Sequence, residues 1–229
     1  MPSHSFDVLS GFTPEVPADM VESAARWRPE DLPSAAALAA SVVLLRDSKD
    51  GLATYLLHRH AQMLFAPSTV VFPGGRVDPV DYGGSNPIRP NPIQRCALRE
   101  TAEETGIVLT EPDLHPWAHW ITPEVEPRRY DTWFFVAAIP DDREAADISG
   151  ETDRAEWSSP QDALAAERSG MIKLLPPTMS ILIELADLAS VDNVIKHAKD
   201  RVIEPVLPSV VETSHGWQFR YPRLPADSS

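Results

Sequence analysis

Cysteine is nearly missing from this chain: Cys96 is the single one in 229 residues, so no internal disulfide can form, as suits a reducing compartment. Basic charge is also scarce. With 20 Lys and Arg against 34 Asp and Glu, the formal charge is −14. That excludes holding long DNA or RNA by phosphate neutralisation, which needs a cationic surface. A small anionic ligand stays compatible if a cation or a few arginines screen it. No apolar run approaches the roughly 20 residues of a membrane span. The leading MPSHSFDVLSGFTPEVPADM has no basic start or long apolar segment, and the final ADSS matches no short address tail. These absences predict a cytoplasmic protein. His58, His60, His115, His119 and His215 lack the paired spacing with cysteine of a zinc site, and are read as structural or surface residues.

What is abundant is proline, 23 residues, about twice the average usage. The prolines cluster and mark loops between periodic segments. At 43% hydrophobic, the chain can bury a sizeable core. AASVVLLRD and LATYLLHRH flank the turn DSKDG and predict a β-hairpin. STVVFPGG is a short apolar run, followed by the loop RVDPVDYGGSNPIRPNP. IQRCALRETAEETG is expected to be helical up to Gly106, and YDTWFFVAAI to be a strand. SPQDALAAERSG has Ser159 as a cap, Pro160 at the first helical position and Gly170 past the end. PPTMSILIELADLAS is a further helix, ADMVESAARW a possible short one, and RVIEPVL and WQFRYP are strand-like. The mixed order predicts an α/β or α+β sandwich: a core domain over 37–200, an N-terminal extension over 1–36 and a tail over 201–229 packed on the domain or on a dimer partner. The late helices and tail would also suit a homodimer.

The segment RETAEETG, residues 99–106, places Glu100, Glu103 and Glu104 on one side of a helix. Like charges at that spacing destabilise a helix by a few tenths of a kcal/mol. Ile93 and Ala97 lie on the same stripe, which therefore begins apolar and ends anionic. Such triplets are common on solvated helix faces. As a functional group, three hard oxygen donors suit Mg²⁺ or Mn²⁺, and a cation would offset their repulsion. Arg99 and Glu103, four apart, can pair.

With FPGGRVDPVD upstream and Ile107 after Gly106, the chain resembles a Nudix hydrolase. That family's signature is G, five residues, E, seven residues, then R-E-U-x-E-E-x-G-U, U being bulky and aliphatic. Gly75 is the first glycine, and RETAEETGI matches the second half except at Thr101, where an aliphatic is usual. The first half departs further. Asp81 stands in place of the glutamate, and seventeen residues, 82–98, separate it from Arg99 where the signature has seven. The extra residues, about 82–92, read as a loop insert, which is thermodynamically well tolerated. FAPSTVVFPGGRVDP, RCALRETAEETGI, WITPEVEPRRYDTWFFVA and EWSSP, in this order, resemble a Nudix subgroup related to the peroxisomal coenzyme A diphosphatases, over roughly residues 38–190.

The resemblance implies an α/β/α sandwich around a mixed sheet and a metal-dependent diphosphatase. It implies Glu100, Glu103, Glu104 and the Gly75 carbonyl as ligands of Mg²⁺ or Mn²⁺, Glu103 and Glu104 being catalytic, with Arg99 orienting them. A base or further ligand is expected from a later loop: Glu151 in SGETDRAEW, with Asp153 behind it, unless GETD is only a charged turn. Glu156 is placed at the edge of a strand. From the residues themselves, Arg128 and Arg129 in EPRRYDTW are candidates for a phosphate clamp, arginine forks matching phosphate geometry. The alternatives are a solvated loop or an ion pair with Glu124 or Glu126; Arg76 is a further candidate. Trp117, Trp120 and Trp133 would either stack on a base or fill the core. The implied substrate is coenzyme A or an acyl derivative. Alternatives are ADP-ribose, NADH, nucleotide sugars or nucleoside triphosphates, or a non-catalytic binding domain.

Overall fold

The computed structural model describes residues 14–28, 30–60, 68–83, 91–139, 143–146 and 152–221. In chain order the elements are α1 (Ala18–Arg26), β1 (Ala37–Ser48), β2 (Gly51–Arg59), β3 (Val70–Val71), β4 (Gly74–Arg76), a 3₁₀ turn (Pro79–Tyr82) and α2 (Pro92–Thr105). A second 3₁₀ turn (Glu111–Asp113) leads to β5 (His115–Ile121), β6 (Tyr130–Ala138) and β7 (Thr152–Ser158). There follow α3 (Pro160–Arg168), α4 (Pro176–Ala186), α5 (Val191–Lys199), β8 (Pro205–Val206), β9 (Ser209–Thr213) and β10 (Gly216–Arg220).

The organising strand is β1. Residues 39–45 are buried without interruption, the pattern of a strand covered on both faces. It forms the expected hairpin with β2, Ser48 opposite Gly51, and runs parallel to β6, with Ala40 opposite Trp133. The sheet order is β3-β2-β1-β6-β5-β8, with β4 joined to β1 and β7 to β2. Alternate residues of β1 feed two cores. Ala40, Val42 and Leu44 pack with Cys96 and Ala97 of α2, while Val43 and Leu45 pack with Ile181, Leu182 and Leu185 of α4 and Val194 of α5. Helices therefore cover both faces, the α/β/α sandwich that the sequence resemblance implies. Two helix boundaries are as expected: Ser159 caps the start of α3, accepting from the Asp162 amide, and Gly106 ends α2 in a left-handed conformation at φ 72°. No helix among the described residues is long and apolar enough to cross a membrane.

The segments flanking the core are bonded to it. Arg129 donates to the Ser34 carbonyl, and β8 adds to the sheet beside β5. The side chain of Arg201, at the start of the tail, is fully buried. Its Nη2 donates to both Glu184 oxygens at 2.8 Å, its Nε bonds the Trp117 carbonyl and its guanidinium lies 4.4 Å from the Trp117 ring centroid. Trp117 Nε1 donates to the same carboxylate at 2.7 Å. A buried pair such as this contributes little relative to an apolar replacement, but removing one partner strands a charge. Arg201→Ala is expected to cost about 3–5 kcal/mol, read as a lowered denaturation midpoint at neutral pH.

Candidate metal centre

The centre is built where β4 meets α2. Asn91 and Gln94 form a reciprocal capping box, with Pro92 at the first helical position. The helix thus starts inside a segment that reads as loop by its prolines. Likewise RVDPVDY holds the last residue of β4 and a 3₁₀ turn rather than a plain loop. In that turn the Asp78 amide donates to Asp81 Oδ2 at 2.8 Å, and Pro79 sets the first position.

Asp81 is only 3% exposed and faces Arg99. Arg99 Nε donates to Oδ1 at 3.1 Å and Nη2 to Oδ2 at 2.8 Å, a two-pronged ion pair. Burial pushes the Asp81 carboxyl up, but the Arg99 hydrogen bonds and the Asp78 amide outweigh it and hold the group below its ordinary value. The same guanidinium donates from Nη1 to Glu100 Oε1 at 2.8 Å and to Glu103 Oε2 at 3.1 Å, and from Nη2 to the Arg76 carbonyl at 3.2 Å. These contacts raise the Arg99 pKa, chiefly through Asp81, so the charge is permanent. Arg99 therefore bridges β4, the 3₁₀ turn and two of the three glutamates.

The three carboxylates differ in setting. Glu104 is buried, and the Gly74 amide donates to its Oε2 at 2.8 Å. Glu100 is half-buried against Gly75: a Cβ there would lie 2.3 Å from Oε1, so a side chain at 75 would push the carboxylate from this position. Burial raises the Glu100 carboxyl, with Glu103 and Asp78 adding to that and Arg99 opposing it. Glu103 is 59% exposed. Among the described residues no three acidic, histidine or cysteine side chains meet at one point. The donor set nevertheless fits a hard divalent cation: carboxylate oxygens line one helix face beside a glycine whose close approach a side chain would block. Turning Glu103 inward breaks only an exposed ion pair to Arg99, worth under about 1 kcal/mol.

The other candidates divide. Glu151 lies outside the described residues; Asp153 pairs with His60 at 3.1 Å. Glu156 sits within β7, not at its edge, bonded to His58 at 2.9 Å. Arg128 and Arg76 are exposed. Arg129 requires a correction: it is buried, with Nη1 donating to Ser34 O at 2.7 Å and Nε to Thr122 O at 3.1 Å, so it ties loops together instead of facing a ligand. Trp117 and Trp120 are core residues, whereas Trp133 is half-buried and stacks on His119 at 4.5 Å. Thr101 is buried but satisfied, its hydroxyl donating to Ala97 O at 2.7 Å. Asp81 is the residue whose role sequence reasoning left open; its partner became visible only through a contact across 18 positions.

The NUDIX domain family model matches residues 35–176, well over half of the chain. A nudix hydrolase of Caenorhabditis elegans is 27% identical over 211 residues, covering 76% of this chain and 68% of that protein. The acyl-coenzyme A diphosphatase NUDT19 of Gallus gallus is 23% identical over 251 residues, covering 65% of each chain. Among solved structures, a hydrolase of Alicyclobacillus acidocaldarius shares the fold with TM-score 0.62 at 23% identity, over 71% of this chain and 96% of the other.

Asp81→Asn is expected to reduce stability at neutral pH by about 2 kcal/mol, the scale of a charged hydrogen bond. Because the folded carboxyl titrates below its ordinary value of 3.8, its contribution is complete above that value and is lost as pH falls through the folded one. Denaturation curves of wild type and variant should therefore converge in acid and separate toward neutral pH.

Proposed function

The chain belongs to the Nudix family, and from that premise we propose that it hydrolyses the diphosphate of coenzyme A or an acyl derivative, releasing 3′,5′-ADP and (acyl-)4′-phosphopantetheine. The observation that carries the reading is the intact acidic helix, with Glu100 and Glu104 set against the Gly74–Gly75 turn by hydrogen bond and close approach. The choice of substrate is supported by the resemblance to a protein named as an acyl-coenzyme A diphosphatase.

Glu100, Glu103, Glu104 and the Gly75 carbonyl would hold Mg²⁺ or Mn²⁺. When bound, the metal supplies charge neutralisation on the phosphoryl oxygens and a more acidic water. The chain's part is positioning. Arg99 sets the directions of Glu100 and Glu103, and the Gly74 amide fixes the direction of Glu104. Glu103 and Glu104 are the groups assigned to hold the attacking water and accept its proton. Arg76 and Arg128 are exposed cations that we assign to phosphate oxygens.

Glu103→Gln and Glu104→Gln should each lower kcat by orders of magnitude while the circular dichroism spectrum stays that of wild type. A glutamine oxygen can still accept from Gly74, so the fold persists. Unchanged turnover in both would remove the assignment. With Mg²⁺ or Mn²⁺ present, a panel of diphosphates should give 3′,5′-ADP from coenzyme A, and a chelator should abolish the reaction. Intact coenzyme A beside hydrolysed ADP-ribose, NADH or a nucleotide sugar would overturn the substrate.

A further inference from the structure

An open cavity of about 510 Å³ lies beside the acidic helix, lined by Leu38, Arg76, Val77, Asp78, Pro79 and Tyr82, together with Ala37. That volume lies in the range of small-molecule sites. Two ties join it to the centre. Arg76 directly follows Gly75, and its carbonyl accepts from Arg99. The Asp78 amide donates to Asp81 Oδ2, and Asp81 in turn pairs with Arg99. The outer wall is the 3₁₀ turn, which the buried Asp81–Arg99 pair pins to α2. Tyr82 is therefore a side chain on a fixed mount, even though it is itself 57% exposed.

The lining has two kinds of chemistry. Tyr82 contributes an aromatic ring to a lining whose apolar part is Leu38, Val77 and Pro79. Arg76 offers a fork that is 64% exposed, its contact with Asp78 Oδ1 being long at 3.5 Å. Asp78 is acceptor-only, so it suits an exocyclic amine or a ribose hydroxyl and not a phosphate. A flat ring beside a cation matches a purine nucleotide. A phosphopantetheine arm has neither a ring to stack nor a second phosphate to pair.

We propose that this cavity takes the 3′,5′-ADP half of coenzyme A, with Tyr82 stacking on the adenine and Arg76 binding the 3′-phosphate. The proposal rests on the reading of coenzyme A as substrate. It makes the residues before the insert a specificity element: the same turn that locks Arg99 also presents the base platform. The pantetheine arm then leaves the diphosphate on the side away from the turn.

The test is calorimetric titration of the full-length protein with 3′,5′-ADP, 5′-AMP and 4′-phosphopantetheine, with Mg²⁺ present. Tyr82→Ala should weaken both nucleotides about tenfold, within the span of base–aromatic stacking, and raise KM for coenzyme A in proportion. Tyr82→Phe, which keeps the ring, should restore binding to within about twofold of wild type. Arg76→Ala should weaken 3′,5′-ADP by about tenfold or more and 5′-AMP far less, since only the former carries the 3′-phosphate. Nucleotide binding unchanged in Tyr82→Ala, no nucleotide binding to wild type, or a loss confined to 4′-phosphopantetheine would each overturn the proposal. If coenzyme A proves not to be hydrolysed, the substrate reading falls by itself. The titrations still decide the cavity, because Tyr82-dependent affinity for 5′-AMP does not require turnover.

Discussion

A single guanidinium holds this centre together. Arg99 touches the Asp81 carboxylate with two nitrogens, Glu100 and Glu103 with one, and the Arg76 carbonyl behind the glycine turn. Without that cation, the buried Asp81 carboxylate would lose its two-pronged ion pair, and Glu100 and Glu103 would lose the counter-charge they share. With it, the strand, the 3₁₀ turn and the helix are fixed to one another by bonds a few ångströms long. Aspartate is one methylene shorter than the glutamate usual at this place. Asp81 lies in the 3₁₀ turn, and Arg95 donates to its carbonyl. Across the longer sequence separation, the Asp81 carboxylate still meets the Arg99 guanidinium with both oxygens.

Those parts of the centre that depend on local order were legible in the sequence. The 3.6-residue period put Ile93, Ala97, Glu100 and Glu104 on one stripe, and Ala97 is indeed buried while Glu104 is clamped at the sheet end. Gly106 and Ser159 announced their helix ends because capping is a property of a few neighbouring residues. What depends on distant partners was not legible. Arg129 looks like a ligand-facing cation until Ser34, 95 positions away, claims it. β5, HPWAHWI, hides behind a proline and an irregular register between Pro116 and Ala118. β7, TDRAEWS, is polar because it pairs with β2 alone among the described strands, and its Glu156 finds a histidine across the ladder. Short polar strands of this kind carry almost no period of their own.

The two faces of the sheet use charge in opposite ways. On the α4–α5 side, Glu184 and Arg201 neutralise each other in full burial, with Trp117 closing the group. On the α2 side, the carboxylates outnumber the one guanidinium that organises them, and one of them, Glu103, stays largely exposed. The first arrangement is closed and suits a structural tie. The second keeps an excess of negative charge at an opening, which is how a protein attracts a cation instead of satisfying itself.

Cys96 sits one turn before Glu100, fully buried, with its thiol donating to the Gly75 carbonyl. Burial pushes its pKa up to about 12, so it carries almost no thiolate while the fold is intact. Alkylating reagents and soluble disulfides act on exposed thiolates, and the chain has no other cysteine to offer them. Modification at this sulfur therefore cannot occur without separation of the helix from the glycine turn. The residue is a chemical clock on the centre itself: its labelling rate measures how often the acidic helix lifts away from the sheet.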